Sequence, residues 1–144
     1  MSPVTIREFI YAEDYARALE LWNAAGEGVR VGPSDTPEEI QKKLERDPDL
    51  FLVAETANDL VGTVIGGYDG RRGHIYHLAV AEGFRRQGIG SRLMGELEAR
   101  LVRKGCIRCY LIVRAGNDGA MHHYEALGWR CLEDDLMYAK DLIE

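Results

Sequence analysis

Apolar positions along this chain switch between two periods, and each switch marks an element. Pro3 to Phe9 alternates enough to be a first strand. Glu13 or Asp14 then opens a helix on which Tyr15, Ala18, Leu19 and Trp22 fall along one face. Gly26 to Ser34 is a polar, glycine-rich break. Thr36-Pro37-Glu38-Glu39 reads as a helix start, with Thr36 as N-cap, Pro37 in the first position and Glu39 closing a capping box. Ile40 and Leu44 anchor that short helix and Pro48 ends it. Leu50 to Glu55 and Leu60 to Tyr68 are two strands joined by the Asn58-Asp59 turn, a hairpin. Gly66 and Gly67 suggest a bulge or close packing late in the second. Asp69 to Gly73 turns back into a buried strand, Ile75 to Ala81. A helix follows, striped by Ile89, Leu93, Met94, Leu97 and Leu101. Gly105 is placed as its C′ cap, after Arg103 and Lys104. Ile107 to Val113 then predicts a strand, Asp118 to Leu127 a helix, and Arg130 to Ile143 the closing strands. The pattern shows no repeat, linker or low-complexity tract, so residues 1–144 read as one mixed α/β domain.

The stretch between the buried strand and its helix carries the strongest chemical signal. Arg85-Arg86-Gln87-Gly88-Ile89-Gly90-Ser91 has two glycines that let backbone turn tightly and approach a ligand. The first amides of the following helix lack intrahelical acceptors and sit at the positive end of its dipole. Arg85, Arg86 and Arg92 add charge, so the segment predicts a phosphate site. It is not a Walker loop, because it has no lysine, and not a dinucleotide fingerprint, because Leu93 occupies the place of the third glycine.

Composition narrows the partners. With 46% hydrophobic and 29% charged residues, 144 residues can bury a core. A net charge of -6 argues against general nucleic-acid or anionic-membrane binding and weakly favours a cationic or amine acceptor. No apolar run is long enough to span a membrane, and MSPVTIREF lacks the regions of a signal peptide. Cys106, Cys109 and Cys131 fit structural thiols in a reducing, cytoplasmic setting rather than a zinc or redox site. His122 and His123 have no companion cysteine or carboxylate pattern, so no metal is expected.

Two blocks together resemble a known family. Arg85-x-x-Gly88-x-Gly90, after Leu78-Ala79-Val80, is similar to the acyl-CoA pyrophosphate motif of the GNAT superfamily of N-acetyltransferases. Asn117, Ala120, Tyr124, Gly128 and Trp129 resemble that family's later signature. Within it, the chain is most similar to the ribosomal-protein alanine N-acetyltransferases and the small YpeA-type bacterial proteins. The resemblance implies an acyl-CoA N-acyltransferase fold: a mixed, mostly antiparallel sheet of six to seven strands, about four helices and a splayed central strand pair. Dimers are common on that fold, which leaves a homodimer open.

The resemblance also implies a mechanism. The backbone of Leu78, Ala79 and Val80 would hold the pantetheine arm of acetyl-CoA as an added strand and polarise the thioester. The amides of Arg86, Gln87, Gly88, Ile89, Gly90 and Ser91 would hold the pyrophosphate. Asn117 would contact the arm, unless it serves only as an N-cap. Tyr124 would protonate the departing thiolate. The alanine N-acetyltransferases carry a glutamate five residues before the motif asparagine, where this chain has Ile112. Candidates for the general base are therefore His77, then His74, Asp69 and Tyr68, or a water chain. The segment Gly26 to Arg46 would lie over the acceptor pocket. These readings predict direct acetyl transfer from acetyl-CoA to a peptide N-terminus, a lysine or a small amine, or else a non-catalytic acyl-CoA-binding module.

Overall fold

The structure is a computed structural model that describes residues 3–143. Its elements follow the apolar pattern closely: β1 (Thr5–Glu8), α1 (Tyr11–Ala24), α2 (Pro37–Arg46), β2 (Phe51–Glu55), β3 (Leu60–Tyr68), β4 (Gly73–Val80), α3 (Ile89–Arg103), β5 (Cys109–Leu111) and α4 (Asp118–Ala126). The five strands stand in sequence order in one mixed sheet. Successive pairs are antiparallel except β4 with β5, which run parallel.

Both faces of this sheet are covered, which is why its middle strands read as continuous apolar runs. Alternate residues of β2 divide accordingly. Phe51 and Val53 join a core with Trp22, Ile40 and Ile65, under α1 and α2. Leu52 and Ala54 join a second core with Leu93, Met94 and Leu97, under α3. α1 begins at Tyr11, ahead of the expected Glu13 or Asp14. Asp14 instead lies wholly buried, accepts from the Ile10 amide and pairs with Arg7 at 2.7 Å and Arg17 at 2.8 Å. Hydrogen bonds to Arg7, the Ile10 amide and Arg17 outweigh the raising effect of burial, so this carboxyl titrates below its ordinary range. Thr36 caps α2 as its sequence requires, its hydroxyl accepting from the Glu39 amide.

Close packing against α3, not a bulge, accounts for Gly66 and for Gly62 earlier in β3, whereas a Cβ on Gly67 would meet only the tip of Lys43. A Cβ on Gly62 would lie 3.0 Å from Leu93 Cδ1, and one on Gly66 would lie 2.8 Å from Leu97 Cδ1 and 3.2 Å from its Cγ. Leu93 and Leu97 are one helical turn apart and fully buried, so neither can retreat. Gly66→Ala should therefore cost about 1–3 kcal/mol of stability through overpacking. Urea unfolding would show it, and an unchanged midpoint would refute the packing argument.

Two expectations need correction. Among the described residues the sheet has five strands, not six to seven, because 130–143 forms no strand. That segment makes a turn at Leu132 to Asp135 and leaves Leu136, Met137, Tyr138, Leu142 and Ile143 exposed. β5 presents only Cys109–Leu111 as an edge, and Glu133-Asp134-Asp135 is a strand-poor, like-charged run. The expected Ile107 to Val113 strand is likewise confined to that short piece. Among the described residues, β5 pairs only with Gly73, His74 and Ile75, and no strand pairs with Tyr76 to Val80 on that side.

Candidate active site

Strand β4 is irregular where it leaves β5. Thr63 faces Ala79 and Ile65 faces Tyr76, so Val64 stands opposite two residues, His77 and Leu78. His77 takes up the extra residue in the left-handed region, with φ 51°. A histidine there is strained unless its surroundings fix it. They do so at both ends of the residue. The Trp22 indole donates to Thr63 Oγ1 at 2.9 Å, and the Thr63 hydroxyl donates to the His77 carbonyl at 2.9 Å. The His77 ring packs edge-on against Trp22, centroids 4.8 Å apart, and its Nε2 lies 2.8 Å from Asp35 Oδ1. The bulge thus turns both Tyr76 and His77 toward α1 and α2. Burial first, then the Asp35 and Asp47 carboxylates, push the Tyr76 hydroxyl up to about 12.

Beyond β4 the chain makes a single 3-10 turn, Glu82–Phe84, and reaches α3 through Arg86 with φ 64° and Gly88 with φ 78°. Gly88 is the N-cap and supplies no capping side chain, and no acidic residue stands in the first turn. Nothing lies within 4 Å of where a Gly88 Cβ would project. The backbone donors at the positive end of this fifteen-residue helix thus have no side-chain cap, and the space beside Gly88 is open. Such a start has the donors an anionic group needs, and the amides of Arg86 to Ser91 are the ones that would face it. The arginines divide. Arg85 folds back so that its Nε donates to the Val80 carbonyl at 2.9 Å, and Arg86 is exposed. Arg92 is turned away, donating to the Val4 carbonyl at 3.0 Å, so it does not charge the cradle as expected.

Helix α4 closes this end. A Cβ on Gly90 would meet both His123 Nε2 and Val80 Cγ2 at 3.7 Å, so α4, the α3 N-terminus and the end of β4 converge. Asn117 is the N-cap of α4, its Oδ1 accepting from the Ala120 amide at 3.3 Å. Tyr124 lies two turns on, packed against the α3 core and edge-on to Trp129. Burial raises its pKa above that of an ordinary phenol. Its hydroxyl makes no hydrogen bond within the described residues, yet no buried side-chain oxygen there is unsatisfied, so the hydroxyl faces open space.

The other candidate bases are not brought here. Asp69 Oδ1 accepts from the Arg71 and Arg72 amides at 2.7 and 2.8 Å, holding a turn. Tyr68, opposite Gly73, and His74, opposite Gly67, lie at the far end of β3 and β4. At about 3.3 Å per residue, His74 is roughly 16 Å along the strand from Ala79. Burial pushes the Cys109 thiol up to about 11, which keeps it un-ionised near neutral pH. Sequence reasoning missed Asp35 and Thr63. The one polar side chain inside the buried run LVGTVIGG was the available signal for Thr63. Nothing local marks Asp35, which meets His77 across 42 residues of sequence.

A strand with one unpaired edge leads directly into an uncapped helix start, an arrangement at which an extended ligand can add to the sheet. The chain belongs to the Acetyltransferase (GNAT) family, whose profile matches residues 11–129, and is an acyltransferase. An acetyltransferase of Sodalis glossinidius is 40% identical over 133 residues, covering 92% of each chain. Among solved structures, Ard1 from Thermoplasma volcanium superposes with a TM-score of 0.75 at 28% identity, over 87% of this chain and 81% of that one. The PaiA N-acetyltransferase of Thermoplasma acidophilum, crystallised with coenzyme A, matches in fold with a TM-score of 0.77 at 19% identity, over 87% of this chain and 88% of that one.

Proposed function

We propose that the chain, acting as one domain over residues 1–144, transfers acetyl from acetyl-CoA directly to an amine. The observation that carries this is the free edge Tyr76 to Val80 of β4 running into the uncapped start of α3. Main-chain groups of Leu78, Ala79 and Val80 hold the pantetheine arm and polarise the thioester, and Asn117 contacts the arm from α4. The amides of Arg86, Gln87, Gly88, Ile89, Gly90 and Ser91 hold the pyrophosphate. Tyr124 is the general acid and His77 the general base. Acetyl-CoA supplies the activated acyl group, and the protein orients it, excludes water and moves protons. Among subtypes the motifs remain most similar to the YpeA-type and ribosomal-protein alanine N-acetyltransferases. Ile112, exposed after β5, stands where the latter carry their glutamate, so a different acceptor is expected.

The test is calorimetric binding of acetyl-CoA, followed by thiol release across a panel of alanine-initiated peptides, Nα-blocked lysine peptides, spermidine and an aminoglycoside. Binding with turnover on one class supports transfer. Binding without turnover, and without acceptor-independent hydrolysis, would favour the non-catalytic module. No binding would remove the cradle.

A further inference from the structure

We infer that Asp35, on the loop before α2, is the positioning residue that fixes His77 as proton acceptor for the incoming amine. This rests on the transferase reading above and deepens it. Asp35 is only 6% exposed, yet every polar group it carries is used. Its Oδ2 accepts from the Gly32 amide at 3.0 Å, its carbonyl accepts from the Tyr15 hydroxyl at 2.7 Å, and its Oδ1 meets His77 Nε2 at 2.8 Å. The carboxylate is thus built in from its own loop and from α1 before it reaches β4. A carboxylate can only accept, so the ring carries its proton on Nε2 and presents its lone pair on Nδ1. The groups packed against His77 are Asp35 from the loop, Trp22 from α1, Thr63 from β3 and Tyr76 beside it in β4. Of these, only Asp35 is a charge.

The reaction balances with these groups. The ammonium of the acceptor gives one proton to Nδ1, and the freed nitrogen pair forms the bond to the thioester carbonyl carbon. The C–S bond breaks with its electron pair on sulfur, which takes the Tyr124 proton. The second nitrogen proton, lost after attack, restores the Tyr124 hydroxyl through solvent, and His77 returns its proton to water. One proton is released per acetyl group transferred from an ammonium. The same contact makes the acceptor loop part of the catalytic apparatus, because the residue that covers the acceptor also sets the tautomer of the base.

The decisive variants are His77→Asn and Asp35→Asn, assayed from pH 6.5 to 9.5 with whichever panel member turns over fastest. Asparagine tolerates the left-handed backbone, so His77→Asn removes the imidazole without unfolding the bulge. Asp35→Asn still accepts from Gly32 with its carbonyl oxygen and turns its amide toward Nε2, which forces the wrong tautomer. Loss of general-base catalysis should lower kcat/KM about 100-fold for His77→Asn and about 10-fold for Asp35→Asn at pH 7. Both deficits should shrink by pH 9.5, where solvent deprotonates the amine. Asp35→Glu should recover part of the loss, and the acetyl-CoA Kd should move less than about 3-fold in all three, about 0.7 kcal/mol. A deficit equal at every pH, or a coenzyme Kd that weakens as much as kcat falls, would reduce the pair to a structural latch. Wild-type protein that binds acetyl-CoA but acetylates nothing would instead remove the transferase reading, and this inference with it.

Discussion

Gly88→Val should abolish measurable acetyl-CoA binding while leaving the protein folded. Gly88 has φ 78°, a conformation that costs an L-residue about 1–2 kcal/mol and a β-branched one more. Open space around the position means that no protein atom clashes with the new side chain. The methyls would project beside the donors of Ile89, Gly90 and Ser91, where a pyrophosphate must come within hydrogen-bond distance. Blocking that approach should weaken Kd by at least about 100-fold, or 2.7 kcal/mol. Two companions separate the causes. Gly88→Asn keeps the left-handed backbone but still adds bulk, so it should bind nearly as poorly. Gly83→Ala, in the turn before the cradle, has an ordinary φ and nothing within 4 Å, so it should bind like the wild type. Calorimetry reads all three, with circular dichroism as the check on folding. Wild-type affinity in Gly88→Val would mean that this helix start is only a turn.

What the sequence disclosed here follows from how far each feature reaches. The α3 stripe, the Thr36 cap and the Gly88 turn depend on residues within a few positions of one another, and all lie where their patterns put them. The β4 bulge does not. IYHLAV reads as one uninterrupted strand, and only the register against β3 shows that His77 is the extra residue. The contacts that hold it come from Trp22, Asp35 and Thr63, which no spacing rule connects. Arg92 fails for a related reason. A helical residue near an anion site also has a second side, and Arg92 finds the Val4 carbonyl across the sheet. At the C-terminal end, the apolar residues after Arg130 resembled strands by composition. A strand also needs an edge to pair with, and β5 offers three residues.

Tyr124→Phe should lower kcat by about 100-fold or more, the low end of what a positioned acid contributes, while changing the acetyl-CoA Kd less than about 3-fold. The substitution removes one oxygen that bonds to nothing within the described residues, so packing against Trp129 and the α3 core survives. Stability should therefore stay within about 0.5 kcal/mol. The pH behaviour follows from the sign of the shift. Burial disfavours the phenolate, so the proton stays on Tyr124 to a higher pH than on an ordinary tyrosine. The wild-type enzyme should keep its acid through neutral and mildly alkaline pH and lose it only as pH rises through that raised value. In Tyr124→Phe the remaining activity should lack this alkaline limb, because solvent then supplies the proton. It should also depend more steeply on the leaving thiol, so that an acyl donor with a more acidic thiol recovers part of the rate. Equal turnover by variant and wild type would take Tyr124 out of the chemistry and leave it as one more aromatic residue packed beneath the cradle.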